Sequence, residues 1–208
     1  MFLSRIDGLL RCYRTDERGI AAVEFGLIAP IMLLMMLGAV EVGRATVVSR
    51  RFDLVTHVIA DLVSRDASVT GAGDLPAIAS AAQLIWKPYD ASTLKFQVLQ
   101  IRNAGAAAKK IAPNTTYVDW SYSFFGASIP AQCSLYPMPA NLIVQGASSI
   151  VVNGFYTYTP LFSSNPVFTN VAQMNWTRTV ALSPRQTTCV PFTDAPFNEA
   201  NCGVVTCE

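Results

Sequence analysis

A glutamate at the mouth of a long apolar run is the first residue that could do chemistry. The chain reads Gly19-Ile20-Ala21-Ala22-Val23-Glu24-Phe25, and the uncharged stretch GLIAPIMLLMMLGAV begins at Gly26. A carboxylate facing hydrocarbon costs roughly 3 kcal/mol at a helix centre, so Glu24 must either reach the interface or meet a cation. Other candidates are sparse. The single histidine, His57, stands four residues before Asp61, which puts both on one helix face. One His and one Asp make neither a metal site nor a triad. There is no glycine-rich phosphate loop, and no Ser or Cys has an evident base. The expectation is therefore no catalytic residue, no metal and no cofactor, and a role other than that of an enzyme.

Five cysteines complete the inventory. Cys12 precedes the apolar run, whereas Cys133, Cys189, Cys202 and Cys207 follow far behind it in a region rich in Pro, Asn, Ser and Thr. Such a set reads as disulfide material in an oxidising compartment, with three possible pairings left open. Cys202 and Cys207 have no histidine near them to suggest zinc.

The elements that must position these residues follow from charge and periodicity. Of 15 basic and 14 acidic side chains, four arginines and three acids lie in the first 19 residues, and the remainder balance. That leaves no reason to expect nucleic acid as a partner. From Ile20 to Val40 the only charged side chain is Glu24. At about 1.5 Å per residue this run is about 31 Å long, one hydrocarbon thickness, and it is read as a single membrane span. Pro30 lies inside it, which a membrane helix tolerates. Arginines flank both ends, so the charge rule favours a cytoplasmic N-terminus only by its margin. The cysteines add that the C-terminal bulk lies outside the cytoplasm.

Beyond Val40 the helical pattern continues. Val40, Val47, Val48, Phe52, Val55, Val58, Ile59, Leu62 and Val63 recur at intervals of three and four, an amphipathic stripe. One helix over 20–66 is expected, spanning lipid first and then lying on a domain that occupies 74–208. A short helix is expected from Asp74 or Leu75 to Trp86, with Asp74 as its cap and Pro76 in its first turn. Strands are expected over Leu94–Ile101, Thr116–Phe124, Ser148–Thr159 and Trp176–Leu182, with Asn153-Gly154 marking a bulge or turn. The fold class is α+β: a long N-terminal helix packed on a small antiparallel sheet, with a cysteine-rich tail from Ser183.

Gly19, Ala22-Val23-Glu24-Phe25, Leu27, Pro30, Leu33-Leu34, Gly38, Glu41, Gly43 and Arg44 together resemble the TadE-like family of minor pilins and pseudopilins, which serve tight-adherence (Flp) pilus assembly. The resemblance covers about residues 18–45 and implies a pilin-like fold. It also implies that residues 1–19 are a cytoplasmic leader, removed by a prepilin peptidase between Gly19 and Ile20. Glu24 and Phe25 would then serve processing and assembly. The partners implied are that peptidase, other Tad minor pilins, the major Flp pilin and the inner-membrane assembly platform, all within the lipid bilayer. The place implied is the bacterial inner membrane, with the C-terminal domain periplasmic or carried outside in a pilus. Gly26 departs from the Ala usual in the family, and Ala60-Asp61-Leu62 replaces the family's Ala-Ala-Arg pattern.

Two small-residue pairs, Ala22 with Gly26 and Ala39 with Gly43, would let a second helix approach closely in lipid. Glu41 and Arg44, three residues apart at the outer interface, form a candidate ion pair worth under about 1 kcal/mol if exposed. A competing reading is an uncleaved single-pass protein whose external domain binds a ligand. A third is an exported enzyme cut near Gly43-Arg44-Ala45, a poor signal-peptidase site behind a run too long for a signal peptide.

Overall fold

The computed structural model describes residues 18–105, 111–139, 141–161, 163, 173–193 and 207. Most of the expected leader, Cys12 and Cys202 lie outside them. Among the described residues two helices and four strands appear in the order α1 (Arg18–Arg65), α2 (Asp74–Trp86), β1 (Lys95–Asn103), β2 (Thr116–Phe124), β3 (Ser148–Tyr158) and β4 (Met174–Leu182). The architecture is α+β, as the sequence implies. The chain divides into two compact units, Met1–Ala45 and Thr46–Glu208. The described residues of the first are all helical.

The second unit is built on an antiparallel sheet ordered β2-β1-β3-β4. Its helical cover comes from α1, where Val48, Phe52, Val55, Ile59 and Val63 are fully buried. Their spacing of three and four residues puts them on one helix face. The sequence stripe is wider than the face that packs. Val47 is 54% exposed, while Val58 and Leu62 are half-buried. At 3.6 residues per turn, Val47 points a quarter-turn away from Val48.

Phe52 is the centre of this contact. Its ring lies 6.2 Å from that of Trp86, 6.1 Å from Phe96 and 6.0 Å from Tyr156, measured between centroids. Beneath it is Gly154, where an added Cβ would stand 2.9 Å from both Phe52 Cζ and Phe96 Cε1. A glycine is needed here so that the aromatic ring can rest on the strand backbone. Asn153-Gly154 is thus neither turn nor bulge: both lie in unbroken β3, opposite Gln97 and Phe96. The irregularity sits instead in β1–β2, where Gln100 pairs with Trp120 and Ile101 with Val118.

Asp119 is the residue that this register skips, and it is buried together with Arg102 at 4.0 Å between Nη1 and Oδ2. Gln100 Nε2 donates to Asp119 Oδ2 at 2.6 Å. The Gln100 Oε1 accepts from Val190 N at 2.7 Å, and Trp120 Nε1 donates to Val190 O at 2.8 Å. These bonds stitch the tail to the sheet at a place where an unmet polar group would be costly.

On the opposite face Leu99, Ile101, Val118 and Val151 form a second cluster with Ile143, and Tyr136 and Met138 pack against it. The β2–β3 connection therefore closes the core on that side. Val118 N donates to Ser134 O, and Cys133 N to Val118 O, which covers the free edge of β2. Cys133 is disulfide-bonded to Cys207 across 74 residues, with the Cα atoms 5.3 Å apart. Cys189 is disulfide-bonded as well. Cys207→Ser is expected to cost about 2–4 kcal/mol, because the open chain regains loop entropy. Urea unfolding of the purified protein, with and without reductant, measures it, and the reductant should add nothing further at this bond in the variant.

The start of α2 corrects one sequence expectation. The N-cap position is Gly73, which carries no side-chain cap. Thr70 supplies the cap instead: its Oγ1 accepts from Gly73 N at 3.2 Å and from Asp74 N at 3.0 Å. Asp74 Oδ2 answers by accepting from Thr70 N and from Thr70 Oγ1, both at 2.9 Å. Burial and the neighbouring Asp74 carboxylate together raise the pKa of Asp66 above its ordinary value. Thr70→Ala should cost about 1 kcal/mol, the usual worth of a capping hydroxyl, read as a fall in thermal midpoint. An unchanged midpoint would contradict this cap.

Candidate functional site

The residues singled out by sequence lie on the first half of α1. Gly19 and Ile20 occupy its first turn, since the helix begins at Arg18. Glu24 follows Ile20 by four residues, one turn on, where side chains are neighbours about 6 Å apart at Cβ. Both are exposed, as are Ala22, Phe25 and Gly26. Ile20 is 56% exposed, and Phe25 and Leu27 are each 70% exposed. In the described chain this is the helix long and apolar enough to cross a membrane, and its most apolar window is wholly unburied. So large an apolar surface needs lipid or another helix around it.

Among the described residues, nothing beyond the helix's own nearby backbone comes within 4 Å of a Cβ built at Gly19, Gly26, Gly38 or Gly43. The fold itself therefore does not demand glycine at these places. Ala22 and Gly26 share one face of the helix, and so do Ala39 and Gly43, each pair four apart. Ala39 is exposed, and Glu41 and Arg44 are half-buried.

His57 is exposed. Asp61, one turn on, is occupied elsewhere: it accepts from Arg65 Nη2 and from Arg185 Nη2, each at 2.6 Å. Asp53 likewise meets Arg178 of β4, whose Nη2 also donates to Ser49 Oγ at 3.2 Å. These two carboxylates tie the helix to β4 and to the segment just after it, across 125 and 124 residues. Sequence reading missed them because an ion pair at that separation leaves no local pattern. Arg178→Ala is expected to cost no more than about 1 kcal/mol, since the pair is exposed and screened by salt. A double-mutant cycle with Asp53→Ala checks it, and a coupling well above that value would contradict the reading. Among the described residues no three His, Cys, Asp or Glu side chains are grouped to hold a metal ion.

One apolar helix of membrane-spanning length, continued into a small α+β domain, fits a single-pass membrane protein. Residues 19–61 match the family model described as TadE: TadE-like protein. Over that segment the chain is similar to that family, and the matched span contains Gly19, Ile20, Glu24, Phe25, both small-residue pairs, Glu41 and Arg44. No curated protein and no solved structure matches it.

Proposed function

We propose that this chain is a minor pilin or pseudopilin subunit that takes part in assembling a Tad (Flp) pilus or tight-adherence secretion system in the bacterial inner membrane. The observation that carries the reading is the TadE-like match over residues 19–61, on a helix whose apolar surface is exposed from its first turn. In this reading a prepilin peptidase cuts after Gly19 and frees an ammonium on Ile20. Glu24, one turn away, pairs with that cation or with the one on a neighbouring subunit. In lipid such a pair offsets the charge penalty of each member. The work is done by helix packing, not by catalysis, and the small pairs Ala22/Gly26 and Ala39/Gly43 set how near the next helix comes.

A photo-reactive residue placed at Ala22 tests the reading in cells. It should trap another pilin-class subunit of the same system, identified by peptide mass. Adducts to lipid alone, in cells that are assembling the system, would contradict it and favour a solitary anchor for an external binding domain.

A further inference from the structure

The two edges of the sheet are finished differently. On β2 the outward backbone groups of Thr116 and Val118 are taken. Tyr136 N donates to Thr116 O, Cys133 N to Val118 O, and Val118 N to Ser134 O. On β4 the matching groups can be located from Thr157, which continues the β1–β3 register opposite Thr93. Its N–H donates to Thr93 Oγ1 at 3.4 Å and its carbonyl accepts from that hydroxyl at 3.1 Å, so its backbone turns toward β1. Asn175 is the residue opposite Thr157 on β4. Opposite residues of an antiparallel pair either exchange both bonds or both turn away. Asn175 therefore points its N–H and C=O at the free edge, and by alternation Thr177, Thr179 and Ala181 do the same.

All four are exposed. Among the described residues their N–H groups meet nothing beyond the sheet, and the one bond to their carbonyls runs from Arg178 Nη1 to Thr177 O at 3.2 Å. Folded proteins avoid long bare edges by shortening or bulging them, or by placing proline or lysine there. β2 is covered, and its register breaks at Asp119. β4 has none of these devices. It is nine residues long, reads MNWTRTVAL and pairs with β3 without a break. Its single charge, Arg178, is held on the α1 side by Asp53 and Ser49.

Donors and acceptors repeated on every second residue, about 7 Å apart, fit an extended backbone rather than a lipid or a sugar. A second copy of this chain does not supply that backbone well. The helix runs beside β4 in the same direction, with Asp53 meeting Arg178 and Asp61 meeting Arg185. Antiparallel pairing of two β4 edges would reverse one helix, against two chains that enter their domains from one bilayer. Parallel pairing about a two-fold axis would set like-numbered residues level and facing each other, whereas a parallel ladder staggers them.

We propose that β4 takes an extended strand from another protein, which adds to its free edge through Asn175, Thr177, Thr179 and Ala181. That strand places apolar side chains beside the half-buried Trp176 on the α1 side, and β-branched or hydroxyl side chains beside Thr177 and Thr179.

The test is a register walk in membranes of cells making the full chain at its native level. A photo-reactive residue is placed singly at Asn175, Thr177, Thr179 and Ala181, and each adduct is mapped by peptide mass. The expected result is one segment of one other protein, along which the adduct advances by two residues for each step of two on β4. Thr179→Pro removes an outward N–H and no bond to β3. It should abolish the adduct from Asn175 while the thermal midpoint of the domain holds. Thr177→Lys/Thr179→Lys, which keeps both N–H groups, should do the same if the proline variant does not fold. The walk reads this edge whether or not residues 1–19 are removed. Three outcomes would overturn the proposal: no protein adduct from any position, adducts without a common register, or adducts to β4 of a second copy.

Discussion

Phe52→Ala is expected to lower the stability of the α+β domain by about 3–5 kcal/mol, the usual cost of truncating a buried aromatic. The side chain is fully buried and touches a ring from α2, one from β1 and one from β3. Its loss would leave a void over Gly154, which has no side chain to collapse into the space. Filling that void from below is not an equivalent repair. Gly154→Ala in the otherwise unchanged protein would drive a methyl to 2.9 Å from two aromatic carbons, so overpacking should also destabilise. Chemical unfolding of the purified full chain in detergent, followed by tryptophan fluorescence, reports both. A Phe52→Ala loss below about 0.5 kcal/mol, the scale of an ordinary surface change, would contradict the placement of α1 on the sheet.

The second large effect follows from the proposed cut after Gly19, and holds if that proposal does. Gly19→Leu is expected to leave the precursor uncut, so that the membrane fraction holds only the longer chain. The argument is local. A peptidase reads an extended backbone, and Gly19 lies in the first turn of α1, where a glycine weakens helix by about 1 kcal/mol relative to alanine. Leucine both strengthens that turn and puts a branched side chain beside the bond to be cut. Glu24→Ala, by contrast, should leave the cut in place and weaken helix association. Mobility on gels and intact mass separate the two variants. Normal trimming of Gly19→Leu would show that the residue before the bond is not read.

What could be seen in the sequence was what is written locally. The long helix was legible as 20–66 because an uncharged run gives way to a stripe of period three and four, and it is found as Arg18–Arg65. The first two strands were legible from alternation, the third from its β-branched and aromatic residues, and Trp176–Leu182 as a further candidate; the first, read as Leu94–Ile101, is found as Lys95–Asn103. The segment that matches the family model was legible for the same reason, since its signal is spacing along one helix. What stayed hidden depends on distance in sequence. The choice of Cys207 as the partner of Cys133, the ties from Asp53 and Asp61 to Arg178 and Arg185, and the buried Arg102–Asp119 pair all need the fold before they exist. Asn153-Gly154 misled because its usual meaning is conformational, whereas here the glycine makes room for Phe52. Asp74 misled by one turn: a threonine just outside the expected helix does the capping.

The account turns on one covalent event, and the intact mass of the wild-type chain purified from membranes that contain an active prepilin peptidase tests it most directly. The mass should be that of a chain beginning at Ile20. A mature protein that still carries residues 1–19 would contradict the pilin reading at its centre.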